Sequence, residues 1–407
     1  MILVVARLKN MKLPEALYQW LATLPDSEAD QVLATGLEHA DPPQFAARII
    51  ATMLERKTEL SWAGLAANYD RLQPADRVRL RGVPEELLRA GIARALQSPT
   101  ARHRQNALAM LIEDPQPKLV LLLSDALRDV LPTIREAAAK VLRASAEKLL
   151  HQSEQEGEAS EVGAASTELR TTVVEALREA LRSFDTHFRL EVLEAGLWFA
   201  RELHDTLENI LGTRRSHAAY AVTEQLAAWD HPRLAGFLLA ALTWSGWRRT
   251  AQEVLERWNS AEHLSAILKH SDLLDDPQLR ENLNLVKTPP WLGAAGADLA
   301  GLRPTLRELV PRWLCCLGYS DDERVRILAR WRLSRFPEVQ RAAVHALATL
   351  DHPDALRIVA DVAMQPGPLM EFARQHIAER RAAVSSRDRA GGGRTPTTET
   401  DACRTSP

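Results

Sequence analysis

The chain has 407 residues, of which 46% are hydrophobic and 26% are charged, and its formal net charge is −3. These are ordinary globular values, and the small negative charge argues against a dedicated nucleic-acid binder. Aromatic residues make up only 5%, whereas Ala, Leu, Arg and Glu, which are typical of helical proteins, are abundant. The composition therefore predicts an all-α fold.

The cysteines and the start of the chain indicate a cellular compartment. Cys315, Cys316 and Cys403 fit neither a disulfide framework nor the ligand spacing of a zinc site. The first apolar run is broken by Arg7 and is too short for a secretory signal. No run approaches the roughly 20 apolar residues that cross a bilayer. We therefore expect a cytoplasmic protein without membrane contact.

The N-terminal part of the chain has the weakest pattern. Residues 1–10 are expected to be a disordered or mis-annotated extension, because Met11-Lys-Leu-Pro14 has the form of a helix start. Residues 11–90 are expected to form a helical cap or divergent repeats. Residues 91–383 are expected to form the main repeat array.

Five residue pairs in which Asp or His precedes proline set the period of that array. Their prolines lie 73, 117, 45 and 76 residues apart, which corresponds to two, three, one and two units of about 39 residues. Stacked helical hairpins have this period, so the spacing predicts a solenoid. The pairs are Asp41-Pro42, Asp114-Pro115, His231-Pro232, Asp276-Pro277 and His352-Pro353.

Two segments that begin with proline carry the same amphipathic pattern. Each places small and branched apolar residues at helical spacing, which predicts one buried stripe per helix. The stripe after Pro132 contains Ile134, Ala137, Ala138, Val141 and Leu142. The stripe after Pro337 contains Val339, Ala342, Ala343, Ala346, Leu347 and Leu350.

Three segments interrupt or end the helical pattern. Residues 151–168 are rich in acidic residues and glycine and are expected to form a mobile loop. Residues 287–301 contain two consecutive prolines and several glycines, which predicts a break between subarrays. Residues 384–407 have few apolar residues to bury and are expected to be a disordered tail.

These segments resemble the second helix of HEAT repeats, an armadillo-like family whose helix has the form Pro-x-x-aliphatic-Arg-x-x-Ala-x-x-Ala-Leu. The resemblance is strong at 132–142 and 337–360 and poor before residue 90. It implies a curved α-solenoid. It also implies a structural ladder in which arginines of successive repeats pair with acids of the adjoining repeat. The matching arginines are Arg102, Arg135, Arg189, Arg280 and Arg326.

Polar positions beside the two stripes are the candidates for partner binding. They are Glu136 and Lys140 on the first helix, and Arg341 and His345 on the second. Solenoids usually bind along a groove and seldom carry out chemistry. The leading hypothesis is therefore a cytoplasmic, bacterial scaffold or adaptor that binds an unknown protein and has no catalytic residues.

A tryptophan-rich region supports an alternative. Trp244 and Trp247 lie one turn apart beside Arg248 and Arg249, and an exposed aromatic–arginine cluster could stack on a base. The resemblance extends to DNA glycosylases of the HEAT type, so nucleic-acid binding or base excision remains open, although the net charge makes nucleic acid a poor candidate. Burial of the tryptophans in the core is the favoured interpretation.

No catalytic or cofactor motif accompanies the repeats. The histidines are not spaced as metal ligands, and the chain lacks a phosphate-binding loop and a nucleophile elbow. We therefore expect no metal and no cofactor. A HEAT-like lyase or modifying enzyme is the third hypothesis, but the sequence shows no pocket for it.

Overall fold

The computed structural model describes residues 15–40, 43–80, 84–156, 164–212, 216–226, 230–287, 292 and 299–391. All regular secondary structure in these ranges is helical, so the predicted all-α fold is confirmed. The chain divides into two compact units, residues 1–228 and 229–407. The predicted extension at 1–10 lies outside the described residues.

The described part of the first unit contains helices of 4 to 25 residues. They are α1 Glu15–Thr23, α2 Ser27–Glu38, α3 Pro43–Arg56, α4 Glu59–Ala67, α5 Pro74–Leu80, α6 Glu85–Leu96, α7 Ala101–Glu113, α8 Ser124–Leu127, α9 Pro132–Glu156, α10 Ala164–Arg182, α11 Phe184–His187, α12 Leu190–Trp198, α13 His204–Leu211 and α14 His217–Leu226. The 3₁₀ segments Tyr69–Arg71 and Pro117–Leu123 connect neighbouring helices.

Helices in the first unit pack on helices two or three places away in the chain as well as on their immediate neighbours. Helix α4 packs against α2 and α6, and α9 packs against α7 and α12. The α4–α6 contact is especially close, because a Cβ on Gly91 would lie only 2.6 Å from Cβ of Trp62. Glycine thus allows two helix backbones to approach each other.

Helix α9 buries the apolar stripe that the sequence predicts. Ile134, Ala138, Val141 and Leu142 are each at most 1% exposed, and Ala137 is half-buried. These side chains face the core between α9 and its neighbours, so the opposite side of α9 is left to polar residues.

The second unit has the same construction. Its helices are α15 Ala235–Thr243, α16 Arg248–Arg257, α17 Ala261–Leu268, α18 Pro277–Leu283, α19 Pro304–Cys316, α20 Asp321–Trp331, α21 Pro337–Thr349, α22 Pro353–Met364 and α23 Met370–Gly391. Short 3₁₀ segments are Pro232–Leu234, Ser271–Asp275 and Leu299–Gly301. Helix α21 packs against α19, α20, α22 and α23.

The predicted stripe of α21 is also buried. Val339, Ala343, Ala346 and Leu347 are at most 4% exposed, whereas Leu350, just beyond the helix, is half-buried. Pro337 occupies the start of the helix, where its missing N–H costs no helical hydrogen bond.

Three of the residues that precede proline, His231, Asp276 and His352, cap the following helical segments. Nδ1 of His231 accepts from the backbone N–H of Arg233 at 3.1 Å, and Nδ1 of His352 accepts from that of Asp354 at 3.2 Å. The carboxylate of Asp276 accepts in the same way from Gln278 at 2.9 Å. These residues therefore have a structural role as helix caps.

The predicted interruptions differ in part from the observed helix ends. Helix α9 continues to Glu156 and α10 begins at Ala164, so the described ends of 151–168 are helical and 157–163 lie outside the described residues. Helix α23 likewise continues to Gly391, into the segment where a tail was expected. Most of 287–301 falls outside the described ranges, and the two units divide at 228–229 instead.

Candidate functional site

The exposed side of α9 forms the best-defined polar surface among the candidate residues. Glu136, Lys140 and Arg143 lie on one side of this helix because they are spaced by four and three residues. Gln105 of α7 donates to the hydroxyl of Thr133 in the first turn of α9 at 3.0 Å. We call the surface formed by Gln105, Glu136, Lys140, Arg143 and Glu194 the α9 face.

Glu136 and Lys140 form an ion pair at the centre of the α9 face. Nζ of Lys140 lies 2.6 Å from a carboxylate oxygen of Glu136, and the side chains are 52% and 44% exposed, respectively. The hydrogen bond from Lys140 lowers the pKa of Glu136, and the same bond raises the pKa of Lys140. Both groups are therefore charged at neutral pH and accessible to a partner.

A second ion pair connects α9 with α12. Nε of Arg143 lies 3.1 Å from a carboxylate oxygen of Glu194, and its guanidinium also lies over the ring of Trp198 at 5.8 Å. Burial raises the pKa of the Glu194 carboxyl, Arg143 opposes that shift, and the charges of Glu147 and Glu191 add to it. This pair thus fixes the side chains of two helices relative to each other.

The predicted arginine ladder forms at one position. Arg102 of α7 pairs with Asp70 at 2.6 Å, as the ladder requires. Arg135 instead donates to the carbonyl of Asp129 at 2.8 Å, and Arg189 donates to that of Pro132 at 2.9 Å. The carbonyl of Asp129 lies between two helices and has no helical partner, so it is a good acceptor.

The remaining ladder arginines do not fit the expectation. Arg280 and Arg326 are exposed, and neither forms an ion pair within the described part of the chain. Other arginines connect distant segments instead, including Arg170 with Glu202 and Arg307 with Glu338. The ladder prediction was therefore wrong at four of its five positions, because the motif specifies an arginine without specifying which acceptor its flexible side chain reaches.

Arg341 and His345, the other two groove candidates, lie in the second unit and are exposed on α21. The structure places them on a different compact unit from Glu136 and Lys140. Nδ1 of His345 lies 3.1 Å from Nε2 of His376 on α23. His345 therefore takes part in a contact between helices of its own unit.

Trp244 and Trp247 are only 7% and 4% exposed. Their rings contact Phe237 edge-on, with centroid distances of 6.0 and 6.2 Å. This pair is therefore core and does not offer a stacking surface for a base. The other described tryptophans of the same region are also buried, namely Trp198, Trp258, Trp313 and Trp331; Trp229 and Trp291 lie outside the described residues.

The two arginines beside this pair differ from each other. Nε of Arg248 donates to the carbonyl of Leu242 at 3.2 Å, so its side chain is directed back along its own unit. Arg249 is highly exposed and pairs with Glu253 at 2.9 Å. Only Arg249 therefore remains open to a ligand.

Groups suited to metal binding or nucleophilic chemistry are scarce. Within the described ranges, no three His, Cys, Asp or Glu side chains come together as a metal site. Burial raises the pKa of the Cys315 thiol to about 11, which leaves it protonated and a poor nucleophile. None of the described helices has the length and apolar character to span a membrane.

Sequence reasoning missed three members of the α9 face, Gln105, Arg143 and Glu194. Arg143 continues the row of Glu136 and Lys140 at helical spacing, so the same periodicity could have found it. Glu194 lies on another helix and had no such signal. No protein-family model matches the chain, and no curated protein matches it either.

Proposed function

We propose that the chain is a HEAT-like array of helical hairpins that binds a protein partner on the α9 face and acts as a scaffold or adaptor. The observation that carries the proposal is the position of α9, which packs between α7 and α12 while presenting an open row of charged side chains. A surface held on both sides loses little conformational freedom when a partner binds.

The pattern of helix contacts supports the array. Helices α4 and α21 each contact their second neighbours on both sides, and α9 contacts its second neighbour α7 and its third neighbour α12, as in stacked hairpins. Polar contacts also connect segments about one hairpin apart: Arg102 with Asp70, Arg170 with Glu202, and Arg307 with Glu338 are separated by 32, 32 and 31 residues. These separations are somewhat shorter than the period of about 39 residues expected from the proline spacing.

The chemistry of the α9 face supports recognition of a polar protein surface. Glu136 and Lys140 offer a carboxylate and an ammonium group 2.6 Å apart, and Gln105 adds an amide beside them. Positively and negatively charged groups contribute more to the orientation and specificity of a protein interface than to its affinity. The apolar contact that stabilises a complex would come from partner residues that pack over the aliphatic stems of these side chains.

The proposal is tested with a double variant, Glu136→Ala with Lys140→Ala, used as immobilised bait in lysate of the host. The control is Arg249→Ala with Glu253→Ala, which removes an exposed pair of the same i,i+4 spacing from the second unit. A specific partner is expected to be captured by the wild type and the control and lost from the α9-face variant.

The same two variants distinguish protein binding from the rival function, nucleic-acid binding. A nucleic-acid binder would retain duplex DNA with a steep salt dependence, and the Arg249 variant would lose it. Equal capture of a protein partner by both variants would remove the α9 face from the proposal.

A further inference from the structure

Helix α23, the last described helix, contacts α21 through two histidines and a glutamate. Nδ1 of His345 on α21 lies 3.1 Å from Nε2 of His376 on α23, and the ring centroids are 4.6 Å apart. Nδ1 of His376 lies 3.0 Å from a carboxylate oxygen of Glu379, one turn further along α23. The three side chains form a hydrogen-bonded chain between two helices.

The order of hydrogen bonds assigns the protons. A carboxylate of Glu379 can only accept, so Nδ1 of His376 carries the hydrogen. In the neutral ring of His376, Nε2 is then an acceptor, and the hydrogen between the two rings belongs to Nδ1 of His345. At neutral pH the chain therefore runs from His345 as donor through His376 to Glu379.

This arrangement tolerates one added proton but not two. A proton on Nε2 of His345 leaves its Nδ1–H in place, so the contact with His376 survives. Once His376 is protonated as well, both nitrogens that face each other carry hydrogens, and two positive rings are in contact. The second proton therefore removes the hydrogen bond and adds repulsion.

The rings of the pair are partly shielded from solvent, and the surroundings of His345 favour its neutral form. The ring of His376 is only 16% exposed and contacts Phe372 edge-on at 4.5 Å. Partial desolvation lowers the pKa of His345, the neighbouring His376 lowers it further, and Glu379 acts in the opposite direction. The facing nitrogens 3.1 Å apart therefore couple the two rings, because a hydrogen on both of them removes the bond.

Other charged groups on the packed helices have partners of their own. On α23, Arg380 pairs with Asp351 at 2.8 Å, and on α22, Arg357 pairs with Asp354 at 3.0 Å. On α19, Arg307 pairs with Glu338 of α21, and Arg312 pairs with Asp275. Among the described groups without an ion pair are Arg341, one turn before His345, Asp361 of α22, Glu308 of α19 and Arg326 of α20; on α20, Arg324 pairs with Asp321 and Arg330 is exposed.

Glu379 is therefore the acid that contacts the histidine chain directly, and Arg341 is a nearby cation on the same helix. Glu379 stabilises one proton on His376 and cannot cancel a second charge on His345.

We propose that His345 and His376 form a proton-sensitive contact that holds α23 against α21 at neutral pH and releases it as the medium becomes acidic. The bond between the rings is lost with the second proton, so release is steeper than the titration of one histidine. Arg380, which donates to the carbonyls of Ala348 and Leu350, keeps the distal part of the helix attached longer.

Amide hydrogen exchange of residues 370–380, corrected for intrinsic rates, tests this contact in the full chain. The wild type is compared with His345→Gln, in which an amide N–H can still donate to His376 but cannot titrate. Between about pH 7.5 and pH 5, protection in the wild type is expected to fall at least about tenfold more than in the variant, which corresponds to one pKa unit of coupling. Equal pH dependence in the two proteins would overturn the proposal.

A second measurement, made on the wild type, tests the contact even if α23 is already detached from α21 in the His345→Gln variant at neutral pH. Nitrogen NMR of the wild-type histidines is expected to show the Nδ1–H form for both rings and a two-step titration. Independent titration of both rings near their ordinary pKa of about 6.5 would contradict the contact. His217→Gln is the control, because His217 pairs with Asp185 in the first unit and its loss should leave residues 370–380 unchanged.

Discussion

Arg56 and Asp30 form an ion pair inside the first unit, with Nε of the arginine 2.5 Å from a carboxylate oxygen and side-chain exposures of 1% and 2%. Ser61 donates to the same carboxylate at 2.6 Å, and Arg56 also donates to the carbonyl of Leu24 at 2.6 Å. The pair connects α2 and α3 and is fully supplied with hydrogen bonds. Each of the two buried charges is therefore stabilised by the other.

Removing one partner of this pair should be strongly destabilising. We expect Asp30→Ala to cost about 3–5 kcal/mol of unfolding free energy, because it leaves a buried guanidinium without its counter-charge. Replacing both residues, by Asp30→Leu with Arg56→Met, should cost much less. Denaturant unfolding measures both, and a single variant as stable as the wild type would contradict the buried pair.

The pH dependence of the same pair follows from Asp30. Burial raises its pKa, but hydrogen bonds from Arg56, Ser61 and Thr58 outweigh this effect, so the net pKa is lowered. A lowered carboxyl pKa contributes stability above the unfolded value of about 3.9 and loses it as pH falls through the folded value. Unfolding experiments below about pH 4 should therefore show a smaller difference between wild type and Asp30→Asn than at pH 7.

The close contact between α4 and α6 should not accept a methyl group. A Cβ on Gly91 would meet Cβ of Trp62 at 2.6 Å and the backbone nitrogen of Ala63 at 2.9 Å. We expect Gly91→Ala to cost about 1–3 kcal/mol, since the helices must move apart. Gly367→Ala is the control, because a Cβ there meets nothing within 4 Å. Equal thermal midpoints for the two variants would disprove the close approach.

Shortening a side chain in the buried stripe of α21 should leave a cavity and lower the free energy of unfolding. Leu347 is fully buried, so Leu347→Ala should lower the free energy of unfolding by about 2–5 kcal/mol. Arg341→Ala on the exposed side of the same helix should change it by less than about 0.5 kcal/mol. Similar small effects in equilibrium unfolding would mean that the stripe is not core.

The tryptophan pair should matter for stability and not for ligand binding. Trp247→Ala is expected to cost about 3–5 kcal/mol, since its large ring packs against Phe237. Arg249→Ala should be nearly neutral because that side chain is exposed. In fluorescence titrations with duplex DNA, we expect neither substitution to change binding. If Trp247→Ala abolished tight DNA binding without unfolding the protein, Trp247 would not belong to the core.

Local periodicity was enough to predict the helical fold and its core. The spacing of Ile134 and Leu142, or of Val339 and Leu347, is set by the 3.6-residue turn of a helix and needs no knowledge of the neighbours. The residue before proline was similarly informative, since His352 caps the next helix through its own side chain.

Contacts between distant segments could not be predicted in this way. Arg56 and Asp30 are 26 residues apart, and charged residues are normally exposed, so nothing in the sequence indicated a buried pair. The arginine ladder was wrong for a related reason, because a long side chain reaches any nearby carbonyl as readily as an acid. Arg135 is an example, because it donates to the backbone carbonyl of Asp129 and not to its carboxylate.

The measurement that tests the proposed binding role most directly is site-specific photo-cross-linking in the host. A photoreactive residue in place of Lys140 lies at the centre of the α9 face, and one in place of Thr171, which is exposed on α10, is the control. We predict a discrete protein adduct from position 140 and none from position 171. Adducts of equal yield from both positions, or none from position 140, would contradict the proposal.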